Sequence, residues 1–238
     1  MKYLLIAVLL WAAGNVQGQD TAAFRLSADS DTIFWSNYHL RYVEQLELLH
    51  PKGNTDFYRV ILPGGCIEIS GTQTGKVVFK ADEIWDKILT DDCFVQTFPL
   101  TENQVQHICH LIDTLMIDSI PSDKYIRQWH RGFDGVTYCL ESRTGTVYSF
   151  KRYWTPSVQG NFREANLIAA FIEQLNIITG YTDKRKIFEA AIPFYGWTSN
   201  NGTITMRVVS DSEHYNKYKR LKKKQLKQKA KMEKGRHQ

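Results

Sequence analysis

The chain has 238 residues, of which 43% are hydrophobic and 13% aromatic, and a formal net charge of +5. That composition excludes a disordered chain and suffices for one good core or two small lobes. The positive charge sits at one end: residues 217–238 carry a net +10, so the remainder, by difference from +5, is mildly acidic at −5.

The first stretch reads MKYLLIAVLLWAAGNVQG. Lys2 precedes an apolar run from Tyr3 to Ala13, and Val16-Gln17-Gly18 offers the small residues that a signal peptidase reads. This is the grammar of a secretory signal over 1–18, with Gln19 as the mature start. The run falls short of the roughly 20 residues that a membrane span needs. The expectation is an exported chain, periplasmic or extracellular. No repeat or linker divides the rest of the chain, so 19–211 reads as one globular domain and 212–238 as a basic tail, mobile or helical.

Ser36 to His50 sets Leu40, Val43, Leu46 and Leu49 at helical spacing, and Pro51 and Gly53 stop the helix. FYRVIL (Phe57 to Leu62), CIEIS (Cys66 to Ser70) and GKVVFK (Gly75 to Lys80) read as strands, with Pro63-Gly64-Gly65 as the first turn. ADEIWDKIL, Ala81 to Leu89, reads as a short helix, and Cys93 as a loop residue after Asp91-Asp92. A stronger helix follows in TENQVQHICHLIDTLMID. Thr101 and Gln104 fit a capping box, and Val105, Ile108, Ile112, Leu115 and Met116 line one face.

The period then changes to two. YIRQWH, GVTYCLE and TVYSFKRYW read as strands, with turns at Phe133-Asp134-Gly135 and Arg143-Thr144-Gly145. NFREANLIAAFIEQLNIITG is a central packing helix, with Asn161 and Glu164 as its cap and Gly180 as its stop. Asp183 starts a shorter helix, and Asn200-Asn201-Gly202 turns a last hairpin that leaves through TITMRVV. Strands come in clusters and do not alternate one by one with helices. The expected fold is α+β, with antiparallel strand clusters packed by several amphipathic helices and a basic C-terminal extension.

Four cysteines, Cys66, Cys93, Cys109 and Cys139, make an even set in a chain read as exported, so three pairings stay open. No CxxC, Walker loop, Rossmann glycine fingerprint or GxSxG occurs, and no cofactor is expected. His107 and His110 stand one helical turn apart, as two metal ligands would, but no carboxylate or third ligand completes the set. His130 with Asp134 is the one local pair resembling a general base and its carboxylate, though Asp-Gly also serves a turn. Trp129, Tyr153 and Trp154 beside basic residues could stack on sugars or bases, or fill a core.

The tail carries the clearest signal. Lys222, Lys223, Lys224, Lys227, Lys229 and Lys231 are the candidate electrostatic contacts. Their partner would be an anionic membrane surface, an acidic polysaccharide or another acidic molecule, with nucleic acid left open. The tail's apolar residues, Tyr215, Tyr218, Leu221, Leu226, Ala230 and Met232, make no single wide stripe, which favours surface contact over insertion of the tail. It could instead fold back on the acidic body. The leading expectation is an exported, non-enzymatic domain whose tail contacts an anionic surface. Its rivals are a small exported hydrolase with a cleft near strands 126–154, and a structural envelope protein whose tail is only a solubiliser.

Overall fold

The computed structural model describes residues 25–31, 43–50, 55–199 and 204–236. The signal-like segment, most of the helix expected over Ser36 to His50 and the Asn200-Asn201-Gly202 turn lie outside these residues. The described end of that helix is a helical turn over 43–45.

The described residues form an α+β fold around one nine-stranded sheet. The strands are β1 (Arg25–Leu26), β2 (Phe57–Leu62), β3 (Gly65–Ser70), β4 (Thr74–Trp85), β5 (Ile88–Pro99), β6 (Thr137–Thr144), β7 (Val147–Trp154), β8 (Gly196–Thr198) and β9 (Ile204–Met206). β2 to β5 run as a meander, and the β6–β7 hairpin pairs with β2, so both strand clusters belong to one sheet. β1 lies parallel to β7, which makes the sheet mixed where wholly antiparallel clusters were expected.

Two expected elements differ. Ala81 to Leu89 is not a helix. It completes β4, turns at Asp86-Lys87 and begins β5. The pairing of β4 with β5 shifts register between Asp82 and Ile84, an irregularity of the kind a bulge makes. Asp86 and Lys87 both take positive φ, 51° and 66°, as a two-residue type I′ loop demands. Glycine usually serves there, so the turn carried no turn signal. Cys93 therefore lies in β5, not in a loop.

The second difference is YIRQWH, which forms no strand. Its first residue ends a 3₁₀ turn, Asp123–Tyr125, and this region covers the free edge of β7 with side chains. Arg152 N–H donates to Ser122 Oγ (3.1 Å), Trp154 N–H to Asp123 Oδ2 (3.0 Å), and Trp129 Nε1–H to the Trp154 carbonyl (2.9 Å). The edge groups are satisfied without another strand.

Helices α1 (Glu102–Thr114), α2 (Arg163–Thr179) and α3 (Tyr181–Ala191) bury Val105, Ile108, Ile168, Phe171, Leu175 and Phe188 in one core with Val60, Ile67, Val77 and Phe79 of the sheet. Thr101 makes the capping box with Gln104. Gly180, at φ 62°, ends α2 and permits the sharp passage into α3. The N-cap of α2 is Phe162 without a side-chain bond, while Asn161 accepts from Asn166 Nδ2 and does not cap with Glu164.

The opposite face of the sheet buries charge. Arg59 is fully buried and donates to Glu68 (2.6 Å), Glu141 (2.5 Å) and the Leu49 carbonyl (2.5 Å). Tyr148 Oη–H donates to Glu141 (2.7 Å), and Leu49 N–H to Glu68 (3.0 Å). Burial pulls the guanidinium pKa down, but the two carboxylates outweigh it and hold Arg59 charged.

A final helix, α4 (Ser212–Arg236), spans 25 residues. It reaches the outer half of the β4–β5 hairpin, and this is where the acidic body meets the basic tail.

Candidate functional site

β4 is longer than β3, so its outer half finds a different neighbour. β3 pairs with Thr74–Phe79, and β8 takes the same edge at Asp82 and Glu83. There the hairpin presents Glu83, Asp91 and Asp92. Glu83 is fully buried and would be costly alone. It accepts from Thr90 Oγ1 (2.8 Å) and from the Tyr218 hydroxyl, and it pairs with Lys222 (2.6 Å).

Lys222, 8% exposed, also binds Asp92 (2.6 Å). Lys229 lies 3.6 Å from Asp92 and 3.7 Å from Asp91. Aromatic packing supports these pairs. Tyr218 meets Trp85 edge-on at 5.6 Å, and Tyr195 packs against Tyr215 at 4.8 Å and Tyr218 at 5.0 Å. The bond from Lys222 lowers the Asp92 pKa. Burial lowers that of Lys222, but its bonds to Asp92 and Glu83 raise it more.

Docking fixes which way the helix faces. Tyr215, Tyr218, Lys222 and Lys229 point to the body. A residue two places further on lies about 200° around an α-helix. Those places hold Lys217, Arg220, Lys224 and Lys231, and Lys227 falls on the same outer face; all five are exposed. They form a cationic stripe about 21 Å long, at 1.5 Å per residue. Among the described residues none of the five makes an ion pair.

The six lysines read from the sequence therefore divide by role. Lys222 is a structural contact of the fold and unavailable to an outside partner, because two carboxylates already hold it. Lys229 is partly engaged in the same way. Lys223, Lys224, Lys227 and Lys231 are exposed. Lys217 and Arg220 join the outward face, a placement that only helical geometry with a known docked side could reveal.

The hairpin tip and the helix enclose a cleft of about 350 Å³, lined by Trp85, Ile88, Leu89, Leu226, Lys223 and Lys229 among others. Ile88 is 68% exposed and Leu89 59%.

The other candidates fare differently. Trp129 and Tyr153 are buried, their polar atoms bonded to the carbonyls of Trp154 (2.9 Å) and Ile120 (2.8 Å), so neither is offered to a ligand. Trp154 is half-buried and meets Gly132 and Gly135. His130 and Asp134 are exposed, and among the described residues no hydrogen bond or ion pair joins them. A separate cleft of about 260 Å³ touches β6 at Ser142 to Thr144 and is lined by Tyr58, Asp113, Asp118 and Arg143 among others, but by neither His130 nor Asp134. Burial raises the Asp118 pKa there, against the pull of Lys151.

His107 and His110 are exposed on α1, and His110 lies 3.4 Å from Thr114 Oγ1. No group of three or more His, Cys, Asp or Glu placed to hold a metal occurs among the described residues. All four cysteines are free thiols. No described helix is long and apolar enough to cross a membrane. Comparison of the chain with protein-family models, with curated proteins and with solved structures finds no match.

Proposed function

We propose that the chain is an exported, non-enzymatic binding domain, periplasmic or extracellular, whose basic C-terminal extension contacts an anionic surface or partner. In this reading the amphipathic helices and the sheet serve as a rigid mount. One observation carries it: α4 spends Lys222 and Lys229 on the body's own acids and turns Lys217, Arg220, Lys224, Lys227 and Lys231 outward together. A tail that served only solubility would need no such division. Charges on one face of a mounted helix meet a surface together, and each basic group near an anionic membrane contributes about 1 kcal/mol, weakened by salt.

The test compares the full chain with one ending at Asp211 on immobilised heparin and on anionic vesicles across a salt series. The full chain should bind at about 0.05 M salt and release steeply toward about 0.2 M, as polyanion contacts do. The truncated chain should not bind. The reversal Lys224→Glu with Lys227→Glu should abolish most binding and leave the fold intact, because both side chains are exposed. Equal behaviour of full and truncated chains would leave the tail as a solubiliser and end the proposal.

A further inference from the structure

We infer that the anionic partner of the basic helix is a lipid bilayer, and that the β4–β5 tip enters its interface beside α4. This deepens the reading above and rests on it.

Single exposed hydrophobic residues are ordinary on a protein surface. Here four lie around one cleft: Ile88 (68% exposed), Leu89 (59%), Leu226 (41%) and the half-buried Trp85. Three are on the hairpin and one is on the helix, so tip and helix present a joint apolar edge. The Asp86-Lys87 turn, with two positive φ values, sharpens that tip.

Charge around the edge also fits a headgroup layer. The acids lining the cleft, Asp86, Asp91 and Asp92, are matched in number by Lys222, Lys223 and Lys229. Lys87, in the turn between Asp86 and Ile88, is exposed and without an ion pair among the described residues. Long cationic side chains can keep their heads at phosphate level while apolar neighbours sit about 5–10 Å into the boundary. A linear polyanion would use the lysines and leave Ile88 and Leu89 in water. Nor does the outward stripe hold an aromatic side chain on which a nucleic-acid base could stack.

The experiment measures co-sedimentation of the full chain with vesicles of phosphatidylcholine alone and of phosphatidylcholine mixed with phosphatidylglycerol, with soluble heparin as the lipid-free polyanion. The parent should bind the mixed vesicles and not the neutral ones. Ile88→Ser with Leu89→Ser should lose vesicle affinity on the order of tenfold while keeping heparin affinity and the parent's melting temperature. As a second readout, brominated lipid should quench tryptophan emission of the parent on binding, and Trp85→Phe should remove most of that quenching. Vesicle binding unchanged by the serine pair, or absence of quenching, overturns the inference. Binding to heparin but not to vesicles overturns it too, and leaves the anionic contact of α4 standing with a polyanion as partner. Binding to neither overturns both.

Discussion

At the scale of single residues, burial decides which groups can act. Burial pushes the thiols of Cys66 and Cys139 up to about 12 and raises that of Cys109, so near neutral pH hardly any thiolate forms at the first two. Cys93 is exposed on β5. An alkylating thiol reagent on the native protein, followed by mass spectrometry, should modify Cys93 first and spare Cys66 and Cys139 until denaturant is added. Arg59 shows the reverse use of burial. Its removal would take the guanidinium from two buried carboxylates, Glu68 and Glu141, and breaking such a buried group costs about 3–5 kcal/mol. Arg59→Ala should lower the denaturant midpoint accordingly, or prevent folding. Glu141→Gln, which keeps hydrogen-bonding capacity, should cost less in the same titration.

At the scale of elements, legibility followed local patterning. β2, β3, α1 and α2 could be read because each shows one clear period bounded by its own stop, such as Gly64 after β2 or Gly180 after α2. The outer β4–β5 hairpin could not, because Ala81 to Leu89 also satisfies a helical spacing and its turn lacks glycine. β5 was hidden by its sequence as well: Phe94, Gln96 and Phe98 alternate inward behind Asp91 and Asp92, which look like loop residues. That turn yields a direct prediction. Left-handed backbone at a non-glycine residue costs roughly 1–2 kcal/mol. Lys87→Gly should therefore raise the thermal midpoint by a few degrees, with circular dichroism unchanged. The charge of the tail was legible, but its orientation was not, since Lys222 meets Asp92, 130 residues away in the chain. Nothing in the local sequence separates a lysine that docks from one that faces out.

At the scale of the whole molecule, the basic helix and the acidic body hold each other, and pH should govern the hold. Asp92 has its pKa lowered by Lys222, so its contribution is present above the ordinary carboxylate value of 3.8 and lost as pH falls through the lower folded value. Lys222 has its pKa raised, so its contribution is complete below 10.5 and lost as pH rises through the higher folded value. Docking should thus be firm between these limits. Amide hydrogen exchange of α4, corrected for intrinsic rates, should stay protected from about pH 5 to about pH 9 and rise in more acidic solution. Lys222→Ala should give fast exchange throughout the range, with the sheet core still protected.

The shared edge of β4 has a mechanical consequence. The covalent link from α4 to the body runs back through β9, a three-residue strand that hangs on β8, itself three residues long. Pulled by that link alone, the hairpin would peel open pair by pair. The Lys222, Lys229 and Tyr218 contacts lie further along the helix from that link. They pass tension straight into β4 and β5, each twelve residues long and paired along most of their length. A load on the helix therefore reaches the β4–β5 ladder directly, the longest among the described residues, and the short β8–β9 pair is strained only after the ionic clamp has slipped.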